Sequence, residues 1–202
     1  LGLITPHIPN WLPEKIWAGI EWEDMIESAK KWIKIINEKE KPNLMVGLFH
    51  SGVDYTYGNQ NIETFKNENA SKLIAQQVPG FDIIFVGHDH HGWNFKEKNS
   101  LGKEVQILGA TSSARDVSIA NCTFTFDNNT KRWEKEIMEE VIESKNYSPD
   151  NEFMKKFSLQ FDEVKKYVSR PIGYFEEPLS ARESIFGNSA FTDFINTIQL
   201  EL

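Results

Sequence analysis

The chain contains five histidines, and four of them fall in two tight groups, Phe49-His50-Ser51-Gly52 and Gly87-His88-Asp89-His90-His91-Gly92. Each group follows directly on a run of apolar residues. The adjoining glycines let the backbone turn sharply and let a ligand come close. Nothing about packing asks for imidazoles at the ends of apolar runs, whereas neutral imidazole suits Zn, Mn or Fe, and a carboxylate such as Asp89 can orient it. The candidate metal ligands are therefore His50, His88 and His90. His91 is set aside, because three ligands from four successive residues would crowd one ion. His7 stands alone in a Pro-rich segment and reads as structural or incidental.

The elements that must carry these groups follow from periodicity. Gly2 to Thr5 reads as a short strand, and Pro6 to Pro13 reads as loop. From Trp22 the apolar residues Trp22, Met25, Ile26, Ala29, Ile33 and Ile36 form a stripe of period 3.6, predicting an amphipathic helix to about Glu40, which Pro42 ends. Asn43 to Phe49 is a continuous apolar run of the kind buried on both faces of a sheet. After a polar loop to about Asn67, Asn69 to Val78 reads as helix, Pro79-Gly80 as its stop, and Phe81 to Val86 as another buried strand. Strand, helix, strand, helix, strand is the order of parallel βαβ units. Both histidine groups then emerge at one carboxyl edge of the sheet, where α/β folds place their sites.

Glu104 to Gly109 adds a strand, and Ser118 to Asp127 with Arg132 to Val141 forms an antiparallel hairpin turning at Asn128-Asn129. A boundary is expected near residue 148. Beyond it, Asp150 to about Ser169 is an amphipathic helix with Phe153, Phe157, Phe161, Val164 and Val168 on one side. Pro171 to Leu179 reads as a short strand, and a second helix starts at Arg182.

The chain has 202 residues, 22 basic against 30 acidic, for a net charge of −8. That balance argues against duplex nucleic acid as a partner, because such binding needs a cationic surplus to displace counterions. The composition, 40% hydrophobic and 26% charged, is that of a globular protein. No apolar run approaches the roughly 20 residues of a bilayer span. Cys122 is the single cysteine, so no intrachain disulfide forms. Leu1 to Pro6 lacks an initiator Met and a basic n-region, so it does not read as a signal peptide. It reads as a strand entered mid-protein, and Thr192 to Leu202 as a helix that stops without a cap; both ends are expected to be cut. The His-x-His-x-Asp-His signature of metallo-β-lactamase-like hydrolases is not met, because His88-Asp89-His90 continues as His91-Gly92.

His50-Ser51-Gly52 and Gly87-His88-Asp89-His90 together resemble the later metal motifs of calcineurin-like metallophosphoesterases, within them the 5′-nucleotidase and 2′,3′-cyclic-nucleotide phosphodiesterase group. Asn67-Glu68-Asn69-Ala70 and Val78-Pro79-Gly80-Phe81-Asp82 resemble the helix and turn ahead of the second motif. Gly2-Leu3-Ile4-Thr5-Pro6 resembles the strand and loop after the family's Gly-Asn-His-Glu segment. Arg182-Glu183-Ser184, Gly187-Asn188 and Asp193 resemble the first helix of its C-terminal nucleotide-recognition domain.

The resemblance implies an α/β fold: part of a metallophosphoesterase sheet sandwich flanked by helices, followed by the start of a second α/β domain. Residues 1–147 would be the later portion of the metallophosphoesterase domain, 148–170 a linker helix and 171–202 the beginning of the C-terminal domain. It implies a phosphohydrolase acting on nucleotides or other phosphate esters with two divalent metals, Zn, Mn or Fe. His50, His88 and His90 would serve as ligands, and Arg182 as a substrate-phosphate contact. Family motifs carrying the bridging Asp and the catalytic His are expected ahead of Leu1, so no catalytic residue is assigned within this chain. The 202 residues alone are expected to be inactive. The family often has an Arg two positions ahead of Arg182, where this chain has Ser180, a departure that bears on 5′-monophosphate recognition. Many members are exported, so a periplasmic or cell-surface location is implied. Asp54, Tyr55, Tyr57 and Trp93 are weaker candidates for substrate contact. The alternative reading is a catalytically inactive metal-binding or interaction module.

Overall fold

The computed structural model describes residues 1–201, and the chain divides into two compact units between Ser148 and Pro149. In the first, strand β1 (Gly2–Ile4) leads into two single-turn helices, α1 (Ile8–Trp11) and α2 (Glu14–Trp17). The segment expected to be pure loop thus holds a turn of helix, because Pro9 lies in the first turn of α1, where the missing N–H would have no partner anyway.

Helix α3 (Met25–Lys39) starts at Asp24, whose Oδ1 accepts the backbone N–H groups of Ile26 (2.9 Å) and Glu27 (3.1 Å). Its stripe Met25, Ile26, Ala29 and Ile33 is buried. Strand β2 (Val46–His50), helix α4 (Ser71–Gln77) and strand β3 (Ile83–Val86) follow as expected. Gly80, at φ +129°, makes the stop between α4 and β3; a Cβ there would lie 2.8 Å from Ile33 of α3.

Strands β4 (Trp93–Lys98) and β5 (Glu104–Gly109) complete a sheet of order β1-β2-β3-β5-β4, parallel except for β4, which runs antiparallel to β5. β4 was not anticipated. Leu73 and Ile74 of α4 pack with the α3 stripe and with Phe49, Ile84, Val86, Val105 and Ile107 of the sheet, and the rings of Phe49 and Phe81 meet edge to face at 5.5 Å. β2 is not buried on both faces: Phe49 is 3% exposed, but Leu48, pointing the other way, is 67% exposed.

β6 (Asp116–Asp127) and β7 (Arg132–Glu143) form the expected antiparallel ribbon. Lys135 ties it to the sheet through Asp82 and the Asn43 carbonyl.

In the second unit, the single helix expected from Asp150 is two, α5 (Asn151–Lys156) and α6 (Ser158–Val168). They part at Phe157, whose backbone (φ −107°, ψ 7°) leaves helical values. The expected strand over 171–179 is irregular and finds no partner; strands exist only by pairing, and no described residue of this unit forms one. Ala181–Phe186 is a 3-10 turn, and α7 (Ala190–Glu201) follows. No described helix is long and apolar enough to cross a membrane.

Candidate functional site

β2 and β3 are parallel neighbours, with Phe49 opposite Val86, so the residues that follow them leave the sheet side by side. His50 ends β2. His88 and His90 stand in the loop after β3. The structure brings His50 and His88 together, ring centroids 5.2 Å apart at 65°. Partial loss of water around the His50 ring, then the nearness of His88 and His90, hold its pKa below the ordinary imidazole range. His50 is thereby kept in the neutral form that binds metals. His90 is exposed on the same loop. No set of three His, Cys, Asp or Glu side chains among the described residues is arranged to hold a metal ion. A pair of imidazoles, His50 and His88, fits a divalent transition metal as a partial donor set, with His90 within the same short loop.

The loop is unusual: His88 (φ 83°) and His90 (φ 60°) both have left-handed backbone, uncommon outside glycine. Asp89 between them fastens it. Its Oδ2 accepts the Val53 N–H and the Trp93 indole N–H, both at 2.9 Å, and its Oδ1 accepts the His91 N–H at 3.3 Å. The Asp89 carboxylate thus joins the two histidine loops to each other and bonds to no imidazole ring. The His91 ring donates from Nδ1 to the Asp89 carbonyl at 2.7 Å.

Ser51 and Gly52 fasten the β2 loop to residues 68–71. Ser51 donates to the Glu68 carbonyl (2.8 Å) and accepts from the Ala70 N–H (3.0 Å), while Ser71 donates to the Ser51 carbonyl (2.8 Å). A Cβ on Gly52 would lie 2.6 Å from Asn69 Oδ1 and 2.8 Å from Asp89 Oδ2, so the close approach of three segments requires glycine.

This stitching sets Glu68 at the site. Its Oε1 accepts from His88 Nε2 at 2.9 Å and its Oε2 lies 3.4 Å from His7 Nδ1. A carboxylate on one nitrogen fixes tautomer and ring orientation. His7 donates from Nε2 to the Lys66 carbonyl at 3.0 Å, and Trp11 stacks on His88 at 5.2 Å and 28°. His7, Trp11 and Glu68 thus belong to the neighbourhood of His88, a role sequence reasoning did not give them. Beside His88 lies a cavity of about 490 Å³ lined by Trp11, Asp54, Tyr57, Glu68 and Trp93, among others. Tyr55 instead packs against the core. Arg182 is exposed in the 3-10 turn of the second unit.

The mainly parallel sheet flanked by helices matches the fold of calcineurin-like phosphoesterases. The chain is similar to the calcineurin-like phosphoesterase YfkN from Bacillus subtilis (TM-score 0.66, 17% identity, 84% of this chain and 52% of that one). It is also similar to a Staphylococcus aureus protein described as a 5′-nucleotidase, in complex with α-ketoglutarate (TM-score 0.57, 15% identity, 81% of this chain and 31% of that one). A third similar structure is the 5′-nucleotidase precursor from Thermus thermophilus (TM-score 0.51, 20% identity, 78% of this chain and 30% of that one). The chain thus spans about half the length of the first of these and under a third of the other two. No protein-family model matches the sequence, and no curated protein matches it significantly.

Proposed function

We propose that this chain is part of a metal-dependent phosphohydrolase acting on nucleotides or related phosphate esters. The observation that carries the reading is the juxtaposition of His50 and His88, rings 5.2 Å apart, at the carboxyl edge of a parallel sheet in a phosphoesterase fold. His50, His88 and His90 would hold the metal, Zn, Mn or Fe. When bound, a pair of divalent ions supplies Lewis acidity to the phosphoryl oxygens and acidifies an attacking water. The chain's own part is to present imidazoles: Glu68 orients His88, and Asp89 holds both loops in place. Arg182 is proposed as a bidentate donor to substrate phosphate. Residues 1–147 are read as the later part of the metallophosphoesterase domain, 148–170 as a linker and 171–202 as the start of a nucleotide-recognition domain. The precursor description of the Thermus protein supports a location outside the cytoplasm.

Metal content by mass spectrometry on the purified chain and its His88→Ala variant tests the reading. Retention of a transition metal by the wild type and its loss in the variant is the expected result. A second reading, an inactive interaction module, is favoured by one observation: no three ligating side chains among the described residues are arranged around one point. A folded wild type that retains no Zn, Mn or Fe overturns the first reading in favour of the second.

A further inference from the structure

By sequence Asp89 is the carboxylate placed to orient an imidazole, yet its side chain bonds to backbone and indole N–H groups, and Glu68, 20 residues ahead of His88, takes that place. Glu68 is tied down on several sides. Its N–H donates to Gln60 Oε1 at 2.9 Å, its carbonyl accepts the Ser51 hydroxyl at 2.8 Å, and its side chain is only 13% exposed. Oε2 lies against His7, whose Nε2 donates to the Lys66 carbonyl. Oε1 is left for His88 Nε2 at 2.9 Å. Trp11 stacks on the His88 ring, and the His50 ring meets it edge to face. The contact with Glu68 decides which ring nitrogen of His88 is free. A carboxylate oxygen has no proton to give, so a bond of this length requires the proton on Nε2, and a neutral imidazole then keeps its lone pair on Nδ1. Nδ1 bonds to no described residue. A ring turned over would set a C–H against the carboxylate and lose the bond.

We propose that Glu68 is a positioning residue that holds His88 in the Nε2–H form, so that a divalent metal is taken by Nδ1. The carboxylate on the far nitrogen makes the near one a stronger donor. Only the taking of metal rests on the phosphohydrolase reading. The tautomer belongs to the metal-free chain, and it joins the metal ligand to Glu68 and, through the second carboxylate oxygen, to His7.

Proton–nitrogen correlation NMR of the histidine rings in the full chain tests this, because the shift of each ring nitrogen reports whether it carries a proton, a lone pair or a metal. At about pH 8, above the ordinary imidazole range, metal-free His88 is expected to show a protonated Nε2 and a bare Nδ1. Zn²⁺ added alone is expected to shift Nδ1 and to leave Nε2 protonated. Glu68→Gln, whose amide can donate as well as accept, is expected to let both tautomers appear and to weaken Zn²⁺ binding roughly 10- to 100-fold. Glu97→Gln, which removes a half-buried carboxylate paired with Lys72 instead, is expected to change neither. The Nδ1–H form in the metal-free chain, Zn²⁺ bound at Nε2, or an unchanged Zn²⁺ affinity in a folded Glu68→Gln variant overturns the proposal and leaves the metal reading standing. The expected tautomer in a chain that binds no Zn²⁺ overturns the metal reading instead, and with it the use of Nδ1, while Glu68 keeps its hold on the ring.

Discussion

The amphipathic stripes of the two units have the same design and different fates. In α3, Met25, Ile26, Ala29 and Ile33 are 9% exposed or less, whereas in α5 and α6 and at the joint between them Phe153, Phe157, Phe161, Val164 and Val168 are 41 to 69% exposed. The difference is what each stripe lies on. α3 packs with α4 and the sheet into one apolar cluster, while the second unit, among its described residues, builds no strand to receive a helix. A stripe reports which side of a helix is apolar; burial needs a second layer.

Leu73→Ala tests that contrast with the largest expected effect. Leu73 is 0% exposed in α4, and its truncation leaves a cavity in the first unit, costing about 2–5 kcal/mol. Phe161→Ala removes a larger side chain that is 58% exposed, and about 0.5 kcal/mol or less is expected. Urea unfolding of both variants decides. A Phe161→Ala cost approaching that of Leu73→Ala would mean that the α6 stripe is covered in solution, and the contrast would vanish.

Two helix caps sharpen the same comparison at smaller scale. Asp24 is 7% exposed; its Oδ1 accepts two α3 N–H groups and its Oδ2 accepts the Lys66 N–H at 2.7 Å. Asp150 is exposed and accepts one N–H, that of Phe153, at 2.8 Å. Asp24→Ala strands partly buried donors and is expected to cost about 2 kcal/mol, at the top of the capping range, whereas Asp150→Ala is expected to cost about 0.5–1 kcal/mol. Thermal unfolding distinguishes them, and equal costs would show that burial does not set the value of these caps.

How much was legible in the sequence follows the same division. Where a local signal coincided with packing, as in α3, α4, β2, β3 and the β6–β7 ribbon, periodicity and turn residues identified the element. The parallel pairing of β2 and β3, read from the βαβ order, correctly put His50 and His88 at one edge. What failed lacked either a strong local signal or a partner. β4 alternates Trp93 and Phe95 with Asn94 and Lys96, a period-2 signal overshadowed by the histidine run before it. Residues 171–179 had a strand's composition but nothing to pair with. Glu68 carries no local mark of its role: its carboxylate meets His88, 20 residues on, and His7, 61 residues back, only because Ser51 and Ser71 hold its segment against the β2 loop. Trp11 could have been suspected from an exposed-type aromatic in a Pro-rich segment, yet its contact with His88 is purely tertiary.

The smallest expected effect is a titration, and it reads whether packing has brought the two histidine groups together. Reduced hydration, followed by His88 and His90, pushes the His50 pKa below the ordinary value of about 6.5. A depressed imidazole makes the folded chain bind its proton less readily than the unfolded chain does. The contribution of His50 to stability is therefore fully present above about pH 6.5, the unfolded value, and is lost as the pH falls through the folded one. NMR titration of the His50 ring is expected to give a midpoint below that of an ordinary imidazole. His88→Ala, which opens the ring to water and removes a neighbouring positive charge at low pH, is expected to move the midpoint upward. A second-unit change such as Phe161→Ala is expected to leave it where it was. A His50 midpoint at the ordinary value, unmoved by His88→Ala, would mean that the two loops do not meet in solution, and the sheet edge would lose its claim to be a site.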